Sequence, residues 1–255
     1  MSRFKRFVMI LLLVIFCMHC GVKARNNQSA QEDFFEANRA YKNDQFQEAI
    51  DGYLKLIENG FKNGHIYYNL GNAYFRIGDL GRAILFLERA HLLIPRDDDL
   101  LFNLAHARNQ AVDDIGDVRT FLLNDFLGLD SLNLYEAFFA FTILNVLFFF
   151  VLGTRLYKKT EWSYYLSIFL VIFIGIGVCA LALKWYGYTT DNRAVVLADE
   201  VEVRAGPDPN DTVLFKIHEG AVAHHERSEA GWVLLHLSKN KRGWARSKQL
   251  ERIVR

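Results

Sequence analysis

Two long apolar runs limit what this chain can fold into. Residues 137–154 are apolar except for Thr142 and Asn145, and Trp162 to Leu183 carries no charge at all. A helix needs about 20 such residues to cross a bilayer, and only helices or closed barrels satisfy their backbone in lipid. No polar segment of this 255-residue chain is large enough to bury two helices of that kind. The pattern predicts membrane helices at 134–154 and 162–185, joined by a loop at 155–161. Trp162, Tyr164 and Tyr165 open the second run, and Trp185, Tyr186 and Tyr188 close it, as aromatics do at a membrane interface. The loop holds Arg155, Lys158 and Lys159, which places it in the cytoplasm by the positive-inside rule. Both flanking segments then face the outside, which in a bacterial cell is the periplasm.

The N-terminus has basic residues Arg3, Lys5 and Arg6 followed by a short apolar run from Phe7 to about Met18. That is the layout of a signal peptide at 1–24, cut after Ala24, with an uncleaved anchor as the alternative. Cys17 and Cys20 lie within or just past that run, and Cys179 lies inside the second long run. The polar segments therefore hold no cysteine, which rules out disulfide scaffolding and thiol catalysis there. The chain has 30 basic and 29 acidic residues and lacks the basic excess of a nucleic-acid binder.

Between the signal and the first apolar run, the sequence repeats with a period of 34. Ala49-Ile50 aligns with Ala83-Ile84, and Asn38 aligns with Asn72. Starting from Gly64, the second copy places Tyr67, Leu70, Gly71, Tyr74, Ala83, Leu87, Ala90 and Pro95 where a helix-turn-helix repeat wants aromatic, small and terminating residues. This pattern resembles the tetratricopeptide (TPR) family, over two repeats and a capping helix at 30–112. Asp97-Asp98-Asp99 caps the last helix. The resemblance implies a concave groove for a peptide or partner helix. Its walls are expected to be Phe34, Asn38 and Tyr41, then Tyr68, Asn72, Phe75 and Arg76, with Phe102 and His106 from the cap. The two asparagines suit recognition of an extended backbone, since an amide both donates and accepts. Residues 25–133 hold 11 basic and 17 acidic side chains, which disfavours anionic ligands there. Val118, Phe121, Leu122, Phe126 and Leu129 form one face of an expected amphipathic helix at 113–133, lying on the membrane or ending the solenoid.

From Asn192 onward, short strands alternate with glycine turns. Five strands are expected: 195–197, 201–204, 213–217, 232–237 and 244–246. Val203, Arg204, Gly206, Pro207, Gly220, Trp232, Gly243 and Trp244 resemble the bacterial SH3-like (SH3b) family, so 192–255 is expected to be a small all-β barrel. The resemblance implies binding of peptide or cell-wall material. The sequence contains no nucleophile elbow and no Gly-Lys of a P-loop. Neither His-Glu pair, at 218–219 or 225–226, continues into a zinc motif. No catalytic residue, metal site or cofactor is expected, and the chain reads as a non-enzyme.

The expected fold class is thus multi-domain: an all-α TPR repeat, two transmembrane helices and a C-terminal SH3-like barrel. This order is similar to the BatE-like tetratricopeptide family of Bacteroides aerotolerance (Bat) operons. Stretches such as Phe34-Phe35-Glu36-Ala37-Asn38 and Tyr68-Asn69-Leu70-Gly71-Asn72-Ala73-Tyr74 carry the likeness. The family implies an inner-membrane scaffold that works with von Willebrand A-domain Bat proteins and a MoxR-type ATPase in aerotolerance or stress resistance. The alternative function is a membrane-anchored module that binds peptidoglycan peptides.

Overall fold

A computed structural model describes residues 27–113, 131–158, 160–238 and 241–254. The expected signal segment, and the expected amphipathic helix from 114 to 130, lie outside the described residues.

Five helices come first: α1 Asn27–Lys42, α2 Phe46–Glu58, α3 Gly64–Arg76, α4 Leu80–Leu93 and α5 Asp98–Gln110. Short polar residues start three of them. Asn63 Oδ1 accepts from the Ile66 N–H, Asp79 Oδ1 from Arg82 N–H, and Asp97 Oδ1 from Leu100 N–H. Each satisfies one of the donors left unpaired at a helix start. The pairs α1/α2 and α3/α4 are helical hairpins, and α5 closes the array, as the 34-residue period predicts. Small residues set the distance between helices. A Cβ on Gly71 would stand 2.8 Å from Leu87 Cγ and 3.1 Å from the Ala83 carbonyl oxygen, and Ala83 is fully buried.

Helix α4 departs from the usual amphipathic pattern. Every residue from Ala83 to Ala90 is buried, including Glu88 and Arg89. A helix buried on all sides needs neighbours on all sides. Here α3 and α5 cover two of them, and a strand of the C-terminal sheet covers a third.

Helices α6 Leu134–Arg155 and α7 Glu161–Thr190 form the apolar hairpin. Both are long and apolar enough to cross a membrane, and α7 runs five residues past the expected end at 185. Their contact uses small residues: Ser163 and Ser167 are buried, and a Cβ on Gly177 would lie 2.9 Å from the Phe141 ring. This is the pattern by which helices approach closely when lipid supplies no hydrophobic drive. Asn133 caps α6 in a capping box with Glu136. Asn133 Nδ2 also donates to the Leu93 carbonyl at 2.9 Å, and Arg96 pairs with Glu136. The hairpin is therefore tied to the end of α4.

The C-terminal part is one antiparallel sheet of seven strands: β1 Arg193–Val196, β2 Glu200–Arg204, β3 Val213–His218, β4 Val222–Glu229, β5 Trp232–Ser238, β6 Lys241–Arg246 and β7 Leu250–Arg252. The order is β3-β2-β6-β5-β4-β1-β7, with β3 and β7 as free edges. Two expectations are corrected here. The strands number seven rather than five, and the barrel does not close, an arrangement consistent with an SH3-like fold. The missed strand β4 reads Val-Ala-His-His-Glu-Arg-Ser-Glu and buries only Ala223. Its pairing with β1 and β5, broken by a bulge between His225 and Arg227, makes it a strand where its composition would not.

Replacing Ala83 with Leu should overpack α3 against α4 and cost about 1–3 kcal/mol. Urea unfolding of the full chain, followed by circular dichroism, measures it; an unchanged midpoint contradicts this packing.

Candidate functional site

The groove residues predicted from sequence do come together on one face, formed by α1, α3 and α5. Phe34, Asn38, Tyr41, Tyr68, Asn72 and Phe75 are half-buried, and Arg76, Phe102 and His106 are exposed. The His106 ring stacks on Phe102 and tilts against Phe75, 5.5 Å between centroids. Tyr41 meets Phe46 edge-on. Arg76 lies 4.3 Å over the Phe46 ring and pairs with Asp44 at 3.1 Å, so it clips the second repeat to the first. Phe102 is 72% exposed.

The asparagines are organised more tightly than the sequence suggests. Asn38 Oδ1 accepts from the Tyr53 hydroxyl at 2.6 Å and from Asn69 Nδ2 at 2.8 Å. One repeat later, Asn103 Nδ2 donates to Asn72 Oδ1 at 3.0 Å and to the Tyr68 hydroxyl oxygen at 2.9 Å. The pairs 38/69 and 72/103 obey the 34-residue period, so each rung bridges one repeat to the next. Burial pushes the Tyr53 phenol up to about 12, with the Asn69 amide pulling the other way. Burial also raises Tyr68, opposed by Asn72. Both hydroxyls therefore stay protonated in neutral solution. Among the described residues, the first rung leaves the Asn38 Nδ2 group and the Asn69 amide oxygen unused, whereas in the second the Asn72 amide is turned to the Tyr68 hydroxyl and the Asn103 amide oxygen is left over. Asn69 and Asn103 were not among the predicted site residues. Their spacing of 34 was the available signal.

The predicted SH3-like residues serve the sheet itself. Val203 is fully buried. Arg204 Nη1 donates to the Pro209 and Asp211 carbonyls at 2.7 and 2.8 Å and holds the loop that carries Gly206 and Pro207. A Cβ on Gly243 would meet Val203 Cγ1 at 2.5 Å. Trp232 and Trp244 are 4% and 5% exposed, with Arg246 stacked 4.0 Å over Trp232 and Arg227 5.1 Å over Trp244. They are covered, not presented. His224 pairs with Asn192 and His225 with Ser228, and among the described residues no cluster of three or more His, Cys, Asp or Glu stands ready for a metal.

A junction not foreseen from sequence joins sheet and repeat. Glu88, with no exposed surface, pairs with Arg108 from α5 and with Arg193 from β1, the latter at 3.2 Å. Asp191 holds Arg193 in place through both carboxylate oxygens. Arg89 donates from Nε to the Ile253 carbonyl at 3.0 Å, and from Nη2 to the Arg252 carbonyl and Glu251, both at 2.8 Å. Glu219 caps α4 from the other domain, accepting from Gly81 N–H at 2.7 Å. Two glycines permit this approach. A Cβ at Gly81 would strike the Val196 carbonyl oxygen at 2.6 Å. Gly220, at φ +82°, would meet Ile84 Cδ1 at 2.8 Å. Val195 and Ile253 complete the helical core. The sheet thus sits against α4, and the residues of the groove face lie on α1, α3 and α5.

Residues 64–97, which are α3, α4 and the turn after them, match the model of the tetratricopeptide repeat family. That repeat is a non-catalytic type. No curated protein sequence matches the chain.

Replacing Glu88 with Ala removes the buried carboxylate shared by Arg108 and Arg193, although Arg193 keeps Asp191. The expected loss is about 3–5 kcal/mol, the usual result of removing one partner from a buried ion pair. Asp33→Ala, which breaks the exposed Lys55–Asp33 pair, should cost under about 1 kcal/mol. Denaturant unfolding of the two full-length variants compares them; equal losses contradict the junction.

Proposed function

We propose that the chain is a membrane-anchored scaffold that holds an extended segment of a partner protein in its helical-repeat groove. The observation that carries this reading is the face of half-buried aromatics, ending in the exposed Phe102 and His106, around two amide rungs, the first with a spare donor and acceptor and the second with a spare amide oxygen. An extended backbone offers one N–H and one C=O per residue, which such amides can pair. Phe34, Tyr41, Tyr68 and Phe75 form apolar walls. His106 and Phe102 close one end.

The anchoring part of the proposal rests on the α6–α7 hairpin. Repeat and sheet pack directly against each other, so both lie on one side of any membrane the hairpin crosses. An even number of spans between them satisfies that condition, and a single span does not. With the basic loop inside, both domains face the periplasm of a bacterial inner membrane. Alkaline phosphatase fused after Gln110 and after Arg252 is expected to be active, and fused after Lys159 inactive. Opposite activity at the two ends contradicts the two-span arrangement.

The likeness to the BatE-like family extends the proposal to its partners: von Willebrand A-domain Bat proteins and a MoxR-type ATPase system, in aerotolerance or stress resistance. The competing reading, peptidoglycan binding by the sheet, draws little support from Trp232 and Trp244, which arginines cover.

The test must spare the rungs, because Asn38→Ala strips Tyr53 and Asn69 of their acceptor and weakens the repeat itself. Phe102 and His106 are exposed and free of that difficulty. Phe102→Ala with His106→Ala is expected to reduce capture of a crosslinked Bat-type protein in native membranes by roughly 30-fold, the worth of about 2 kcal/mol at an interface anchor. Unfolding free energy should stay within about 1 kcal/mol of wild type. Undiminished capture, or retention of peptidoglycan by both proteins, overturns the groove as the binding site.

A further inference from the structure

The loop end of the α6–α7 hairpin holds a cleft of about 610 Å³, lined by Leu152, Arg155, Leu156, Thr160, Glu161, Tyr164 and Tyr165. That volume falls within the usual range of roughly 300–1,000 Å³ for small-molecule sites. Arg155 is half-buried there, its guanidinium carbon 4.9 Å from the Tyr164 ring centroid. Among the described residues Arg155 has no carboxylate and no side-chain hydrogen bond. The Tyr164 ring holds the cation there, and the guanidinium N–H donors remain for a planar or tetrahedral oxyanion. Lys158 follows three residues on, exposed in the same loop. Leu152 and Leu156 are exposed beside the cation, continuous with the apolar surface of α6.

An unpaired cation, two tyrosines and an apolar floor at the end of a membrane helix match one kind of ligand. We propose that this cleft binds an anionic phospholipid, with Arg155 on the phosphodiester, Lys158 as a second cation, and an acyl chain along Leu152 and Leu156. Glu161 shares the cleft and repels a dianion, but it accepts hydrogen bonds from a headgroup that bears hydroxyls. The class is therefore a monoanionic phosphodiester with a polyol headgroup, of the phosphatidylglycerol type. The inference rests on the reading that α6 and α7 span a bilayer.

The full chain in detergent, mixed with equal amounts of phosphatidylglycerol and phosphatidylcholine, is examined by native mass spectrometry for bound lipid. The same preparation is floated with vesicles as an independent check of anchoring. Wild type is expected to retain phosphatidylglycerol at least about fivefold over phosphatidylcholine, the worth of one basic residue at an anionic surface. Arg155→Gln with Lys158→Gln should lose that preference and still float, whereas Lys62→Gln, a charge removed from the repeat domain, should keep it. Equal retention of the two lipids by a floating wild type overturns the site and leaves the anchor standing. Failure to float overturns the anchor. Displacement of the lipid by millimolar inorganic phosphate overturns the lipid assignment in favour of a soluble phosphate.

Discussion

A carboxylate with no access to water holds this molecule together. Glu88 lies in the middle of α4, where transfer of an unpaired charge from water is among the most expensive events in folding. Two arginines from opposite directions make it tolerable: Arg108 from the last repeat helix and Arg193 from the first strand of the sheet. Neither domain satisfies Glu88 fully without the other. The neighbouring Arg89 repeats the logic in reverse, a buried cation whose partners, the Ile253 and Arg252 carbonyls and Glu251, all come from the last strand and the residue after it. The two side chains thus point charges of opposite sign at the first and last strands of the sheet, and this fixes its orientation as well as its position.

The arrangement has a consequence for the apolar hairpin. Segments 27–113 and 191–254 are separated in sequence by the two apolar helices yet share one core, through Val195 and Ile253. The hairpin must leave and return on the same side, and α7 runs into β1 with only Asp191 and Asn192 between them. At its other end α6 begins on Asn133, which is bonded to the Leu93 carbonyl at the end of α4. One helix, α4, therefore meets the sheet along its length and the hairpin at its tail. Connection at both points fixes the position of the helical repeat relative to the apolar hairpin.

Much of this was legible in the sequence because periodicity reports local geometry. The 34-residue repeat located α1 to α5, and the apolar runs located α6 and α7. That the predicted residues of α1, α3 and α5 share one face followed from the repeat alone. What the sequence concealed was everything set by contact between distant elements. Glu88-Arg89 reads as an ordinary solvated pair on a helix, and only the uninterrupted burial of α4 shows otherwise. Ile84, Leu85 and Phe86 in succession were the hint, since three adjacent apolar residues cannot share one helix face. Strand β4 was hidden by its polar composition, and its identity comes from hydrogen bonds to neighbours. The closed barrel suggested by the glycine turns gives way to an open sheet, and its β1 strand, buried on both faces, turns one side to the helices.

The amide rungs show why a polar groove survives beside such a packed interior. A lone asparagine on a half-buried helix face costs desolvation and gains little. The Asn38 amide oxygen is met by the asparagine of the next repeat and by the buried Tyr53, and the Asn72 amide oxygen by Asn103, which also donates to the Tyr68 hydroxyl oxygen. The bonds hold these side chains in place across the half-buried face. Because the rungs bridge successive repeats, the same bonds that prepare the groove also set the angle between repeats. Binding strength and groove curvature in this chain are consequently not independent: a substitution that removes a rung changes the shape of the site along with its chemistry, whereas the exposed aromatics at its ends change only the contact they make.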